Sequence, residues 1–440
     1  MTEGRHILMT MFQGGGNIPL LLPIVARLVA RGHQVRVLVG PGVRRARLPV
    51  SESLSQSLHA TGAAILRLRE PEVHPWDTAP SASGLLGGWT PQAFRSVAQE
   101  AHAQLWLPHW AHEVTAELRR AQTDVLVADF VLVGALVAAE AVGVPAVALF
   151  HTVYPRPIPG RPPYGPGWAP GVGLRGRLRD AVGTVVTNRL YAQDALPALN
   201  QARRHVGLRP LRGHFAQYDR TARVVVLTSP HFDYTAQRMP PNVRLVGTPL
   251  DEAAPTPWTP PWSPAERQPR LLVSLSTLNQ GQAPLMERIL TALAGLPVHA
   301  IVTLGPALAA SQFTPPPNVI LETFIPHTAV LPHIDGMVTQ YGLGTVMKAL
   351  AHGVPLVCIP LVGDQPDNAA RVVVRGAGLR VLADAPPGRI REAIERVATD
   401  PSFRHAARQL ATRMAGEDPV QAAVDEIVAV TAKRSERAAG

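Results

Sequence analysis

The chain has 440 residues, of which 46% are hydrophobic, and a formal net charge of +10. This length accommodates two domains of ordinary size, and the apolar content excludes a disordered chain. The basic residues are scattered without interleaved aromatic residues, which argues against nucleic-acid binding, and the single cysteine, Cys358, excludes an intramolecular disulfide.

The first forty residues predict a strand, a helix and a second strand. The strands cover residues 5–11 and 34–39, and the helix covers residues 19–31. This βαβ opening is typical of a doubly wound parallel sheet. The turn before the helix contains Gly14, Gly15, Gly16 and Asn17. It lacks the GxGxxG spacing of a dinucleotide site, so we predict no NAD or FAD and expect a tight turn whose backbone approaches a ligand.

Two polar residues end neighbouring strands in the same half of the chain. Residues 124–129 and 145–150 predict strands around a helix at residues 132–142, with Asp129 at the end of one strand and His151 after the other. We expect both side chains to face the crevice that the glycine turn borders. The stretch from residue 125 to 150 is too interrupted for a membrane span, and no targeting segment is evident, which predicts a cytoplasmic protein.

The middle of the chain is rich in proline and glycine. Residues 154–170 predict a mobile loop over a small-molecule pocket, and a helical region follows to about residue 206. Residues 224–228 and 243–245 predict strands. The proline-rich residues 249–269 predict a semi-rigid linker. The predicted domains are therefore residues 1–248 and 270–416, with a final helical segment at residues 417–440.

The second half again predicts alternating strands and helices. Residues 271–275, 298–304 and 319–321 predict strands, and a polar stretch with Thr277 follows the first of them. Residues 390–414 and 419–430 predict helices. Cys358 lies in an apolar strand, where a core position is the more natural interpretation than a nucleophile.

Residues 337–378 are the most informative stretch. A strand ending at residue 339 leads into the turn Gln340-Tyr341-Gly342-Leu343-Gly344, and Thr345 takes a natural N-cap position before a helix. A second strand over residues 356–360 precedes Asp364 and Gln365, with another helix from about residue 368. Unpaired N–H groups and a helix dipole suit a phosphate at such a turn. On the residues alone, a structural turn and a helix-capping role for Asp364 remain equally good interpretations.

The order of these residues resembles the donor-binding signature of the GT-B glycosyltransferases, in the family of nucleotide-sugar-dependent transferases that act on small molecules. That signature is HxGxGT, an acidic residue, and then an Asp/Glu-Gln pair, which here lies 24 residues after Gln340. Residues 323–327 correspond to a Trp-Val-Pro-Gln-like segment of the family. The resemblance implies an α/β fold of two Rossmann-like doubly wound domains that face a cleft. It also implies that the last helix returns towards the first domain.

The resemblance assigns roles on the donor side of the cleft. Phe324 would lie under the nucleotide base, with the backbone near His327 facing it; a core position is the alternative for this phenylalanine. The phosphates would contact Thr277, Gly342, Gly344 and Thr345. Asp364 and Gln365 would bind sugar hydroxyls. The sequence has no DxD motif, which is typical of a metal-independent transferase, and we expect no cofactor beyond the nucleotide sugar as co-substrate.

Three residues depart from the family pattern. Gln340 replaces a histidine that contacts the pyrophosphate, and Lys348 stands where an acidic residue binds the ribose. Gly15 stands where the family has its general-base histidine. Asp129 matches the aspartate that orients that histidine. Either Asp129 acts as the base itself, or His151 replaces the missing imidazole, or the acceptor is acidic enough, as a phenol is, to need little help.

These observations predict an inverting glycosyltransferase that moves a sugar from a UDP- or dTDP-sugar to a small lipophilic natural product. The alternative is a catalytically silent relative that binds a ligand or activates a partner enzyme. A sugar-nucleotide epimerase is a third interpretation, which would need carboxylates beyond Asp364 near the sugar. The sugar, the acceptor, the bonded atom (O, N or C) and the oligomeric state stay open, with a homodimer as one alternative.

Overall fold

The computed structural model describes most of the chain, namely residues 4–12, 17–40, 52–69, 107–234, 239–250, 258–263, 265–275, 281–361 and 363–439. The described residues form two parallel β-sheets with helices on both faces. This is the α/β class and the doubly wound plan that the sequence predicts.

The first sheet has the strand order β3-β2-β1-β4-β5-β6-β7. Its strands are β1 (His6–Phe12), β2 (Gln34–Gly40), β3 (Ala64–Arg67), β4 (Val125–Asp129), β5 (Ala146–Phe150), β6 (Arg223–Val226) and β7 (Val243–Leu245). The accompanying helices are α1 (Ile18–Ala30), α2 (Glu52–Ala60), α3 (Leu107–Arg120), α4 (Val133–Val142) and α5 (Gly173–His205), with a 3-10 helix at His214–Arg220. Every residue of β4 and β5 is buried, as expected for strands covered on both faces.

The second sheet has the order β10-β9-β8-β11-β12-β13. Its strands are β8 (Arg270–Ser274), β9 (His299–Thr303), β10 (Val319–Glu322), β11 (Gly336–Thr339), β12 (Leu356–Cys358) and β13 (Gly378–Arg380). The helices that follow β8 along the chain are α6 (Ala283–Leu293), α7 (His327–Val330), α8 (Leu343–Ala351), α9 (Gln365–Val374), α10 (Pro387–Thr399), α11 (Pro401–Met414) and α12 (Pro419–Ala439), with 3-10 turns at Ala310–Gln312 and Leu331–His333. Cys358 is fully buried in this half, which confirms its core position.

The prediction of one helix over residues 390–414 is wrong. The chain forms α10 and α11 instead, separated at Asp400, whose backbone is extended with φ −81° and ψ 111°. Pro401 disfavours helical geometry at the residue before it and lacks the N–H that a continuing helix would use. The Asp400 carboxylate then accepts the Ser402 N–H at 2.9 Å and caps the start of α11.

The last helix packs on the first sheet. Ala423, Val424 and Ile427 of α12 are fully buried in the same core as residues of β1 and α1. The guanidinium of Arg31, the C-cap residue of α1, donates to the Asp425 carboxylate at 2.8 Å. In the part of the chain that the structure describes, none of the helices combines the length and apolar character that crossing a bilayer requires.

The loop of residues 154–170 is anchored, whereas the sequence predicts a mobile one. The Gly165 N–H donates to the Asp367 carboxylate of α9 at 2.7 Å, and Arg161 forms an ion pair with Asp233. A Cβ at Gly167 would lie 2.4 Å from the Pro366 carbonyl oxygen, so only glycine fits this approach. The contacts of Gly165 and Gly167 tie the loop to α9 of the second domain, and the Arg161 ion pair ties it to Asp233 of the first. The Pro- and Gly-rich composition of the loop does not contain this information.

Candidate active site

The first-domain side of the cleft carries an imidazole–carboxylate pair. His151 Nε2 lies 3.2 Å from Asp129 Oδ1, at the carboxyl ends of β5 and β4. The Asn17 amide donates to Asp129 Oδ2 at 3.0 Å, and the Val131 N–H donates to Oδ1 at 3.2 Å. Asp129 is 1% exposed, and its two oxygens are therefore held in a fixed direction. The sequence-predicted Asn17, Asp129 and His151 thus lie together.

The electrostatic surroundings of His151 favour its protonated form. Burial lowers the pKa of this imidazole, but the carboxylates of Asp129 and Asp364 outweigh burial and raise the pKa above its usual range. His151 also packs edge-on against Phe130, with ring centroids 4.9 Å apart. The result is an oriented imidazole with raised basicity, which is what a general base requires.

The second-domain side presents the start of a helix. Gly342 is the N-cap of α8, so α8 begins three residues earlier than predicted and Thr345 is not the N-cap. Gly342 leaves β11 in an extended conformation, and nothing lies within 4 Å of the point where its Cβ would be. A Cβ at Gly344 would meet only Leu20 of α1, at 3.9 Å. The space beside both glycines is therefore open, with Leu20 of the first domain at its edge, and a helix start with such space beside it suits an anionic ligand.

The residue before this helix has an unusual backbone conformation. Tyr341 has φ +88°, the one positive φ among the non-glycine residues that the structure describes. The conformation is held by full burial of the ring and by the Asn368 amide, which donates to the Tyr341 carbonyl oxygen at 3.0 Å. Such a conformation costs about 1–3 kcal/mol and persists where the surroundings fix it, often at ligand sites.

Asp364 connects the two sides of the cleft. Its Oδ2 accepts the Thr152 hydroxyl of the first domain at 2.8 Å and the Asn368 amide at 2.9 Å. Asp364 is the N-cap residue of α9 but makes no side-chain capping hydrogen bond there, so the capping interpretation is wrong. The Gln365 side-chain oxygen accepts the Leu361 N–H at 2.7 Å. Gln365 thereby supports the loop, and Asp364 is the member of the pair that reaches the cleft.

The predicted base-binding residues lie after β10. Phe324 is 70% exposed, so the alternative of a core aromatic is wrong. His327 Nε2 lies 3.0 Å from the Ser274 hydroxyl at the end of β8, which fixes the ring at the start of α7. An exposed phenylalanine at the carboxyl edge of a parallel sheet is a suitable platform for a planar ring.

A buried ionic network joins α9 to the first domain. The Asp233 carboxylate accepts from Arg371 at 2.7 Å and pairs with Arg161, and all three side chains are nearly inaccessible. Arg371 also lies 4.2 Å from the centre of the Tyr234 ring. Burial raises the pKa of Asp367 on the same helix to about 7, with Arg371 and the Gly165 N–H opposing and Asp364 adding to the effect. The network fixes α9, and with it Asp364, against the first domain.

Aromatic side chains extend from His151 into the first domain. Tyr164 and Tyr191 have ring centroids 6.4 Å apart, and Tyr191 stacks on His214 at 5.6 Å. Burial raises the pKa of both phenols, and the charges of Asp364 and Asp367 add to the effect. The aromatic wall therefore lies within electrostatic reach of the Asp364 carboxylate.

The structure gathers most of the predicted residues at one cleft. Gly14, Gly15, Gly16 and Thr277 lie outside the described residues. Gln340 is 5% exposed, and Lys348 is partly buried in α8. Sequence reasoning missed Thr152, Asn368 and Asp367. Thr152 adjoins His151, and Asn368 follows Asp364 by one helical turn, so spacing gave a signal for both.

Comparison with known proteins agrees with this geometry. Residues 287–430 match the model of the erythromycin biosynthesis protein CIII-like C-terminal domain. A 4'-demethylrebeccamycin synthase of Lentzea aerocolonigenes is 32% identical over 96% of this chain and 99% of its own. A demethyllactenocin mycarosyltransferase of Streptomyces fradiae is 31% identical over 35% of this chain and 33% of its own. The crystal structure of the calicheamicin glycosyltransferase CalG4 covers 98% of both chains, with a TM-score of 0.69 at 23% identity.

Two parallel-sheet domains around a cleft, with an anion-suited helix start on one side, define the GT-B class. The full-length relative at 32% identity shows the family. The chain belongs to the natural-product glycosyltransferases of this fold, and its homologues are named glycosyltransferases. The comparisons give no support to the catalytically silent alternative.

Proposed function

We propose that the protein transfers a sugar from a UDP- or dTDP-sugar to a small lipophilic natural product, with inversion and without a metal ion. The observation that carries the proposal is the His151–Asp129 pair, which lies within electrostatic reach of Asp364 across the cleft. A base on one side and a sugar-binding carboxylate on the other leave a place for the reacting carbon between them.

His151 is the general base of this proposal. With Nε2–H donated to Asp129, Nδ1 is the nitrogen that takes the acceptor's proton. The acceptor O–H or N–H then forms its bond to the anomeric carbon on the face opposite the departing nucleotide diphosphate. The bond from that carbon to the diphosphate oxygen breaks, and its electron pair leaves with the diphosphate. Asp129 stabilises the imidazolium that results, as the raised pKa of His151 indicates.

The donor contacts follow from the second-domain side. The nucleotide base of the donor stacks on Phe324. The N–H groups around Gly342 and Gly344 hold the pyrophosphate at the positive end of α8. One backbone donor aimed at developing negative charge is worth about 3–4 kcal/mol in a transition state. These dipoles supply charge stabilisation that a metal ion supplies in other transferases. A sugar hydroxyl replaces the Thr152 hydroxyl on Asp364.

Gln340 and Lys348 modify this donor site. The Gln340 amide can donate a hydrogen bond but carries no charge. The helix start must therefore supply a larger share of the phosphate stabilisation than it would beside a histidine. Lys348 reverses the charge expected beside the ribose, and we assign it to a phosphate contact. The donor is therefore held mainly through its phosphates and base.

The acceptor class follows from the aromatic wall and from the relatives. Tyr164 and Tyr191 are neighbouring rings with apolar faces and polar edges, and both lie within electrostatic reach of Asp364. Relatives named for rebeccamycin and lactenocin chemistry are bacterial, and we place this reaction in the cytoplasm of a bacterium. An epimerase would need a second carboxylate beside Asp364 near the sugar. Asp367 does not suit this role, because it is 2% exposed and accepts the Gly165 N–H.

Calorimetric titration with UDP, dTDP and ADP tests the donor site. We expect UDP or dTDP to bind with a Kd in the micromolar range, about −8 kcal/mol. The Gly344→Trp variant should lose this binding, because its side chain fills the space between α8 and Leu20. Gly388→Trp, at an exposed glycine in α10 with nothing near its Cβ position, is the matched control. If none of the three nucleotides binds, the proposal is overturned. If UDP or dTDP binds, a screen of acceptors by product mass identifies the acceptor.

A further inference from the structure

A single side chain of α9 contacts both parts of the donor site. The Asn368 amide nitrogen donates to the Asp364 carboxylate at 2.9 Å and to the Tyr341 carbonyl oxygen at 3.0 Å. Asp364 is the carboxylate assigned above to the sugar, and Tyr341 directly precedes Gly342, at the helix start assigned to the pyrophosphate. Asn368 is fully buried, so water does not compete for these contacts.

The chemistry of the two partners fixes the orientation of the Asn368 amide. A carboxylate oxygen and a carbonyl oxygen both accept hydrogen bonds, so only the NH2 group of Asn368 can face them. The amide oxygen has no hydrogen-bond partner among the described residues. The NH2 group therefore makes both of the contacts that hold this side chain.

The hydrogen bond to Tyr341 sets the direction of an N–H group in the phosphate site. In a trans peptide unit the C=O and the N–H point in opposite directions. The Tyr341 carbonyl and the Gly342 N–H belong to the same trans unit, and the carbonyl points at Asn368. The Gly342 N–H therefore points away from Asn368, and nothing lies within 4 Å of the Cβ position of this glycine.

The backbone in front of this N–H group depends on its neighbours. Tyr341 has φ +88°, which is unfavourable for a bulky residue. Burial of the ring holds the side chain, and Asn368 holds the carbonyl. Without the hydrogen bond from Asn368, the peptide unit between Tyr341 and Gly342 can rotate, and the Gly342 N–H turns with it.

We propose that Asn368 is a positioning residue that couples recognition of the sugar to recognition of the pyrophosphate. The inference rests on the proposed function, in which Asp364 binds the sugar and the start of α8 binds the pyrophosphate. One NH2 group holds the carboxylate and the peptide unit in a fixed relation, so a single donor molecule meets both in one geometry. Asn368 acts through these two neighbours and does not itself contact the donor.

Calorimetric titration of the full chain with UDP and dTDP tests the phosphate half of the proposal. Asn368→Leu keeps the branched shape of the side chain but removes its hydrogen-bond donors. We expect this variant to bind the nucleotide that the wild type prefers about tenfold more weakly, the value of one hydrogen bond to a charged group. Asp364→Asn keeps an oxygen that can accept from Asn368 and should change this affinity by no more than about twofold.

Asn318→Leu is the matched control for a purely structural effect. The Asn318 amide also donates to backbone carbonyl oxygens of the second domain, three of them, but this residue directly precedes β10, at the end of the sheet opposite the site. Its substitution should leave nucleotide affinity unchanged. Asn368→Ser is a second test variant, because one hydroxyl can donate to only one of the two partners and should also weaken binding. Circular dichroism shows which variants are folded.

A double-mutant cycle between Asp364 and Asn368 tests the coupling itself. The Kd of UDP-glucose, or of dTDP-glucose if the wild type prefers dTDP, is measured for the wild type, Asp364→Asn, Asn368→Leu and the double variant. Asn368→Leu already releases the Asp364 carboxylate. The further change to Asp364→Asn should therefore cost less affinity in this background than in the wild type, by a factor of about three or more.

The outcomes distinguish this proposal from the proposed function. If the wild type binds no nucleotide, the proposed function is overturned and this inference with it. If the wild type binds UDP or dTDP and a folded Asn368 variant binds it equally well, only the role of Asn368 is overturned. Additive effects in the cycle, or an equal loss of affinity in Asn318→Leu, would also refute the coupling.

Discussion

The two sides of the cleft are built from different parts of the polypeptide. The first-domain side consists of side chains, in which Asn17, Asp129 and His151 form a hydrogen-bonded chain. The second-domain side is mainly backbone, with Gly342 and Gly344 bordering open space at the start of α8. A proton acceptor needs one defined titratable atom, whereas a pyrophosphate needs several N–H donors. Substitutions on the first side should therefore affect the chemical step, and those on the second should affect the donor.

The largest expected effect is on the first side. His151→Ala should lower kcat by about 10²- to 10⁴-fold, the usual contribution of general-base catalysis, while UDP affinity changes little. Steady-state kinetics and calorimetry measure the two quantities. His352→Ala, at an exposed histidine after α8, is the control. Retained activity in the His151 variant would mean that Asp129 is the general base or that the acceptor needs none.

Asp364→Asn perturbs the residue that the two sides share. It keeps the size of the side chain but removes the charge that sugar hydroxyls would bind. Loss of a charged hydrogen bond of about 1.5–3 kcal/mol corresponds to a 10- to 150-fold lower kcat/KM for the nucleotide sugar. The Kd of UDP, which has no sugar, should stay within a factor of two or so. Equal losses for UDP and the nucleotide sugar would contradict the assignment of Asp364 to the sugar.

Asp367→Asn tests the contact that fixes α9. Because the folded pKa is about 7, above the ordinary value of 3.8, the wild-type protein loses stability as pH rises between those values. Asparagine does not titrate, so the free energy of unfolding of the variant does not fall with pH for this reason. Its side-chain oxygen can still accept the Gly165 N–H. Its stability relative to wild type should therefore increase by about 2 kcal/mol from pH 5 to 6.5, at about 1.36 kcal/mol per pH unit. Denaturant unfolding at the two pH values measures it, and a constant difference would refute the raised pKa.

The smallest effect concerns the pH profile. His151 must be neutral to accept a proton, so kcat/KM should rise as the pH increases through the pKa of His151. Because this pKa is raised, the rise should be centred above pH 6.5, the ordinary value for histidine. Asp364→Asn removes one of the carboxylates that raise this pKa, and the rise should move to lower pH. The residual activity of the variant is enough for the measurement. A rise at an unchanged pH would mean that Asp364 does not act on His151 in the working enzyme.

Local pattern was sufficient for much of the fold. Strands such as β4 and β5 are short apolar runs in the sequence because both of their faces are covered. The turn between β11 and α8 is recognisable from its glycines. The break between α10 and α11 was missed, although Pro401 marks it, because the helical period continues on both sides. The predicted domain boundaries and the roles of the site residues stay predictions.

The sequence by itself determined the parallel α/β plan, the strand-end positions of Asp129 and His151, and the glycine turn of the donor side, since these depend on short-range periodicity and spacing. Only the tertiary structure decided which side chains meet. Asp129 and His151 are 22 residues apart, and Thr152 and Asp364 are 212 apart. The same holds for the anchored loop. Such pairings depend on how the two domains close on each other, a long-range property that local pattern does not encode.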